Sequence, residues 1–188
     1  VDKLLAQISQ HLDALLGAGK WVHDGRLQIG FVTNHRAARV PNWHVDSMFL
    51  NHGEPFSVLV GIPLHGAFEK PNSGHLAVFE KSHMLLNELL SKQGENIVDG
   101  PKDKAEKISK YCELKDWQPS FIKASVGDFY MCHYRMIHGV THNFEMDRSI
   151  AYLRIKVIDK VREEKGAKLG FKWADSVKMY DPWLLYDF

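Results

Sequence analysis

His44, Val45 and Asp46 are followed by His138, 92 residues beyond the aspartate, and by Arg148 ten residues further on. In an extended strand alternate side chains share a face, so His44 and Asp46 can bring an imidazole and a carboxylate to one point. A second imidazole, from His138, completes a three-ligand site. Two histidines and a carboxylate on one face of a metal leave the opposite face open, which is the ligand set and geometry of non-heme Fe(II) oxygenases. The open positions can take a co-substrate and dioxygen. An arginine a short strand away can clamp a carboxylate through two parallel hydrogen bonds, as a 2-oxo acid chelating the iron would require.

His-x-Asp alone is a short motif, and 11 histidines offer many partners, so a structural or surface pair is the commoner reading of such a fragment. The surrounding segments narrow it. The run from Asn72-Ser73-Gly74 through Leu76 and Val78 to Ser82-His83 resembles the NG-x-L-x-V…SH segment of the phytanoyl-CoA dioxygenase family. Gly127-Asp128 with His138-Gly139 resembles its GD…HG stretch, and His142-Asn143 through Arg148 its N-x-S-x-x-x-R run. The resemblance spans residues 27–157. It implies a mainly β protein, a double-stranded β-helix of the jelly-roll or cupin kind with flanking α-helices, using Fe(II) and 2-oxoglutarate.

Carried over by position, His44, Asp46 and His138 are the implied iron ligands and catalytic centre, and Arg148 the implied partner of the distal carboxylate of 2-oxoglutarate. Gln28 and Asn34 lie on or just after the strand before His44, where the family places a polar co-substrate contact. The small hydroxyl residue that the family carries two places after the distal histidine is here Val140, with a hydroxyl one place later at Thr141. Lys81 stands where the family has the glycine of its GSH, a change that the chain accommodates if that turn needs no positive φ. Trp43 either walls the metal site or packs beside the strand. Little of the family's N-terminal helical region is present, so a trimmed chain or a fragment is among the expectations.

The 188 residues fit one domain with a full core. Lys+Arg 24 against Asp+Glu 23 gives a net charge of +1, so charge offers no general attraction to nucleic acid. No apolar run approaches a membrane span and no leader opens the chain. Two cysteines, Cys112 and Cys132, suit a reducing compartment better than a disulfide scaffold. An intracellular, cytoplasmic protein acting with dioxygen on a small-molecule substrate, with neither nucleic acid nor membrane as partner, is the expectation.

The elements that must position these groups follow from periodicity. Leu4, Leu5, Ile8, Leu12, Leu15 and Leu16 recur at helical spacing ahead of Gly17, predicting an amphipathic helix over 2–16 packed outside a sheet. From Leu27 the period becomes two, with strand-like runs near 27–31, 43–50, 56–64, 75–80, 120–123, 128–135 and 148–158. Many short strands between Gly, Pro and Asn turns argue for a sandwich or barrel. Residues 1–26 thus form a helix and lead-in, 27–158 a β core interrupted at 86–117, and 159–188 a charged helix and aromatic tail. The interruption is either a solvated insertion or a mobile cover over the metal site. The tail, with Trp173, Trp183, Tyr186 and Phe188, is too aromatic to stay in water and is expected to dock on the domain or form a homodimer contact.

His75 and His83 read as structural hydrogen-bonding residues, and Arg148, Ile150, Tyr152 and Arg154 as one face of the last strand. The leading expectation is an Fe(II)- and 2-oxoglutarate-dependent dioxygenase hydroxylating a small molecule or acyl derivative. Two other classes compete. One is a catalytically silent binding protein on the same scaffold; the other is a cupin-like metalloenzyme without a 2-oxo acid, in which an inward Arg148 would lack a partner.

Overall fold

The helical period of the first residues is realised as α1 (Asp2–Leu16), whose Ile8, Leu12 and Leu16 form one buried stripe at a spacing of four. Gly17, at φ 94, donates its N–H to the Asp13 carbonyl at 2.9 Å and stops the helix in a left-handed conformation open to glycine. The Asp13 carboxylate then accepts a 2.8 Å bond from the Trp21 indole, which ties the helix to the first strand. The computed structural model describes residues 2–34, 43–45, 58–70, 72–85, 117–134 and 136–158. Asp46, the interruption at 86–117 and the tail at 159–188 lie outside the described residues.

Seven strands follow: β1 (Trp21–Val32), β2 (Val58–His65), β3 (Leu76–Val78), β4 (Ser120–Ile122), β5 (Tyr130–His133), β6 (His138–Val140) and β7 (Arg148–Val157). They pair as a four-stranded sheet in the order β1-β7-β2-β5 and a three-stranded sheet in the order β4-β3-β6, with every named pairing antiparallel. The expected mainly antiparallel β architecture is what is found. Among the described residues no helix is long and apolar enough to cross a membrane.

β7 is buried on both sides, which its sequence states by carrying apolar residues at both parities. One face, Ala151, Leu153 and Ile155, joins Val58, Val60 and Ile62 of β2 beneath Ile8, Leu12 and Leu16 of the helix. The other face turns toward the second sheet, where Leu59 and Cys132 meet Leu76 and Val78 with Tyr130 and Tyr152 alongside. Arg148 and Ile150, each 2% exposed, lie at the inner end of that face.

β1 departs from the simplest reading of its alternation. Opposed residues in an antiparallel ladder share a face, and Leu27, Ile29 and Phe31 pair with Leu153, Ala151 and Ser149. Their apolar side chains are therefore on the helix side of the sheet, beyond the reach of α1, and Phe31 is 75% exposed. Gln28 and Gly30 take the inner side.

The turn at Lys81 does take a positive φ, so the condition for easy replacement of the glycine is not met. Ser82 N–H donates to the Phe79 carbonyl at 3.1 Å, closing a four-residue turn whose third residue, Lys81, has φ 61. That position favours glycine because any Cβ crowds the backbone there. Lys81 is exposed and gains little in exchange. Left-handed strain of about 1–2 kcal/mol, set against about 0.5–1 kcal/mol of glycine chain entropy, leaves Lys81→Gly stabilising by about 0.5–1 kcal/mol. A raised denaturant midpoint at unchanged m-value is the expected readout; a lowered midpoint would show that the lysine side chain contributes more than its backbone costs.

Candidate metal centre and carboxylate pocket

β6 is flanked on one side by β3, with Val78 opposite His138, and on the other by His44, which exchanges two backbone bonds with His138 at 2.9 and 3.0 Å. Directly opposed residues share a face. His44, His138 and Val78 therefore point the same way, and Val78 belongs to the core between the sheets. The two imidazole centroids are 4.3 Å apart and their planes are inclined by 52°.

The residues either side of His44 turn outward, as strand alternation requires. Trp43 packs edge-on against Phe79 with centroids 4.6 Å apart, and Val45 joins Phe79, Ile137 and Trp117 in a separate cluster. Asp46 lies outside the described residues.

His138 is 7% exposed and its Nδ1 lies 2.9 Å from the Met136 carbonyl. A carbonyl only accepts, so Nδ1 carries the proton and the lone pair sits on Nε2. This is the orientation that a metal-binding histidine needs, with its second nitrogen anchored to backbone. Ile137 N–H donates to the Ser82 hydroxyl and Phe79 N–H to the Ile137 carbonyl, so the Ser82 segment fixes the chain just before His138. Among the described residues no group of three His, Cys, Asp or Glu side chains gathers; the pair His44 and His138 is what they bring together.

Arg148 opens β7 on its inner face. Two glycines make room for it: a Cβ on Gly66 would stand 2.6 Å from the Arg148 Cβ, and one on Gly74 3.4 Å from its Cδ. The guanidinium carbon lies 5.6 Å from the centre of the Phe68 ring. Its Nε is buried without a hydrogen-bond partner among the described residues. Burial pulls the arginine's pKa down from its ordinary value, opposed by the nearby Tyr152 and Tyr130 phenols. A buried cation with an orphaned N–H is costly, and burial of this kind persists where an anion completes it.

The motif segments converge at the foot of this strand. Gly74 N–H donates to the His142 carbonyl at 2.6 Å and Phe144 N–H to the Asn72 carbonyl at 2.9 Å. Asn143 Nδ2 donates to the Val32 and Met146 carbonyls at 3.0 and 2.7 Å. Asn143 therefore locks the loop that delivers Arg148. Gly127, at φ 103, and Asp128, whose carboxylate accepts the Ser125 N–H at 2.8 Å, form the tight turn that launches Phe129 and Tyr130.

Gln28, Asn34 and Thr141 have the following partners. The Gln28 side-chain Oε1 accepts a 2.8 Å bond from the Arg154 guanidinium on the exposed part of the inner face. Asn34 is engaged with residues 145–147, donating its side-chain amide to the Glu145 carbonyl and its backbone N–H to Asp147. The Thr141 hydroxyl donates to the His75 carbonyl at 3.2 Å, and its parity in the strand is opposite to that of His138. His75 is structural as expected, with Nε2 at 2.7 Å from the Phe68 carbonyl. His83 and His133 face each other with centroids 4.6 Å apart.

Tyr130 was not legible as a site residue. It pairs with Gly61 of β2, which pairs with Tyr152, which pairs with Gln28, forming one row across the sheet's inner side. The Tyr130 ring lies directly over Gly61, in the space that any side chain there would fill, and its buried hydroxyl interacts with the Tyr152 side chain. Burial pushes the phenol well above its usual range, reinforced by Tyr152 and opposed by Arg148. A sequence-level signal existed in Gly61 alone, a glycine inside an apolar strand that marks a close approach.

No protein-family model matches this chain, and no curated protein does. Among solved structures it matches EvdMO1 with a TM-score of 0.55 and 20% identity, over 84% of this chain and 32% of that one. It also matches a non-heme monooxygenase, the ThoJ–Ni complex, with a TM-score of 0.46 and 12% identity over 80% and 49% of the two chains. A third match is an N-substituted L-amino acid dioxygenase from Burkholderia ambifaria AMMD, with a TM-score of 0.43 and 12% identity over 84% and 65%. The chain shares its fold with EvdMO1 and spans about a third of that protein's length.

Proposed function

We propose that this chain is the core of an Fe(II)- and 2-oxoglutarate-dependent dioxygenase on a double-stranded β-helix, hydroxylating a small molecule or acyl derivative. The observation that carries this reading is Arg148: an almost fully buried arginine with an orphaned Nε, on the same inner side of the sandwich as the two histidines. A cupin-like metalloenzyme without a 2-oxo acid would leave that cation uncompensated.

The donor set suits the metal. His138 presents Nε2 because Met136 holds its Nδ1, His44 sits opposite on the same face, and Asp46 by alternation adds a carboxylate. Neutral imidazoles and a carboxylate leave net positive charge on a divalent iron, which favours an anionic chelator. Bound there with 2-oxoglutarate and dioxygen, iron supplies oxidative decarboxylation to succinate and carbon dioxide coupled to substrate hydroxylation. The chain's own part is positional. Arg148 holds the far carboxylate of the co-substrate, Gly66 and Gly74 leave space for that arm, and the apolar residues between the sheets keep water from the reacting centre.

Anaerobic addition of Fe(II) and then 2-oxoglutarate is expected to produce the weak visible metal-to-ligand charge-transfer absorption of a chelated 2-oxo acid. Iron uptake without that band would favour the metalloenzyme that uses no 2-oxo acid.

A further inference from the structure

Two rows of opposed residues border the space between the sheets. On the sheet that carries the histidines, Ser120, Val78, His138 and His44 stand opposite one another strand by strand, and on the other sheet Cys132, Leu59 and Arg154 do the same. Leu59 and Cys132 belong to one buried cluster with Val78, and the two sheets run in matching order, with β7, β2 and β5 in one answering β6, β3 and β4 in the other. Arg154 therefore holds in its row the place that His138 holds in the facing one. We propose that Arg154 and Gln28 form the recognition site for a carboxylate on the substrate, across the inter-sheet space from His44 and His138. This rests on the dioxygenase reading above and adds to it the charge of the substrate.

Arg154 and the histidines also lie at the same end of the sandwich. From His138 the chain runs through Val140 and Thr141 to Asn143, which stands beside Ser73 at the foot where Arg148 enters. Six residues of extended strand, about 20 Å, carry β7 from Arg148 to Arg154. The two guanidiniums thus serve different ends of the space. Arg148 is 2% exposed at the closed end, whereas Arg154 is half-buried and Gln28 exposed, so the end with Arg154 is the one open to solvent. Sheets packed face to face stand about 10 Å apart, a gap that an arginine side chain and a small ligand span together.

The chemistry of the pair selects an anion. Arg154 Nη2 donates to Gln28 Oε1 at 2.8 Å. That bond engages the amide oxygen, the side chain's only acceptor group, and one of the guanidinium's five N–H groups, and it turns the amide Nε2 into a pair of donors beside the remaining guanidinium donors. Donors held side by side match the two oxygens of a carboxylate and offer nothing to a cation. Because Gln28 already orients the guanidinium, less freedom is lost on binding. The next residues of the row, Leu59 and Cys132, are buried and apolar, as is Val78 in the facing row, so a ligand's charged end and its apolar part have separate places. Gln28 thereby gains a substrate contact in place of the co-substrate contact that the family resemblance implies.

The test is calorimetric titration of the full chain, loaded with Fe(II) and saturating 2-oxoglutarate without oxygen, against a panel of straight-chain, branched and aryl carboxylic acids. Each acid is paired with its methyl ester and with the phosphate monoester of the same carbon skeleton. At least one acid is expected to bind more tightly than its ester. For that acid Arg154→Gln is expected to weaken binding about ten- to a hundredfold, the size of a hydrogen bond to a charged group. Gln28→Glu, which gives Arg154 a counter-ion of its own, is expected to weaken it by a similar factor. Affinities for the ester and for 2-oxoglutarate are expected to stay at wild type in both variants. A panel in which no acid exceeds its ester, an acid preference that survives Arg154→Gln, or an equal loss of acid and ester would each overturn this inference and leave the co-substrate reading intact. A phosphate monoester bound more tightly than its acid would overturn the assignment to a carboxylate. Failure of the wild-type protein to show the charge-transfer absorption with 2-oxoglutarate would instead bring down the dioxygenase reading and this inference together.

Discussion

His138→Ala is expected to abolish stoichiometric iron binding, while His75→Ala and His133→Ala retain it. The three histidines are all buried, at 7%, 8% and 3% exposure, so burial does not separate them. Orientation does. His138 faces the inter-sheet space opposite His44, with Nδ1 held by the Met136 carbonyl and Nε2 left as the basic atom. The His75 Nε2 is already committed to the Phe68 carbonyl and the Ser73 hydroxyl. His133 pairs with Val58, whose side chain packs toward the helix rather than toward β3.

Disturbing only the outer hydrogen-bond partner of a metal-bound histidine costs about 10–100-fold in affinity, and deleting the ligand itself is expected to cost more. Asp46→Ala is expected to match His138→Ala in metal content and to lose succinate formation. Metal analysis after gel filtration checks both. Stoichiometric iron in both variants would remove the assignment of this centre.

The legible part of this architecture was local. Leucines at 4, 5, 12, 15 and 16 with Ile8 determined a helix and the face it buries, because a stripe at 3.6-residue period has one way to leave water. β2, β3, β4, β5 and β7 fall within two residues of runs set by composition. β6 escaped because His138-Gly139-Val140 is three residues long with glycine at its centre, too short and too glycine-weakened to signal a strand. It exists because Val78 and His44 supply its ladder from either side.

The same limit explains the site. Strand parity could align His44 with Asp46, but the opposition of His44 and His138 is a cross-strand register, and register between segments far apart in sequence follows from tertiary packing. Tyr130 was invisible for this reason: its relation to Arg148 passes through Gly61 and Tyr152 on two other strands. At β1, apolar alternation announced a strand without saying which face is inner, and Leu27, Ile29 and Phe31 lie on the outer side, which α1 covers only in part.

Arg148→Ala is expected to raise the 2-oxoglutarate requirement about 30-fold to several-thousand-fold while leaving metal affinity nearly intact. The magnitude follows from removing one partner of a desolvated, hydrogen-bonded charge pair, which costs about 2–5 kcal/mol, at about 1.4 kcal/mol per tenfold. The upper part of that range is favoured here because Arg148 is 2% exposed, so water cannot readily replace it beside the carboxylate. Metal affinity is spared because the arginine's contacts are with Phe68, Gly66 and Gly74, none of them adjacent in sequence to His44 or His138. The ligand-free variant has its own signature. Losing an uncompensated buried cation relieves a desolvation cost, whereas losing the long side chain leaves a void between the glycines, so melting temperature is expected to move far less than co-substrate affinity. Arg148→Lys is the sharper comparison. It keeps the charge and loses the planar fork, and a guanidinium holding a carboxylate through two parallel bonds is not replaced by a single ammonium. An intermediate affinity in Arg148→Lys would therefore report bidentate pairing. Unchanged 2-oxoglutarate affinity in Arg148→Ala, in a protein that still shows the charge-transfer band, would move the carboxylate clamp to another residue.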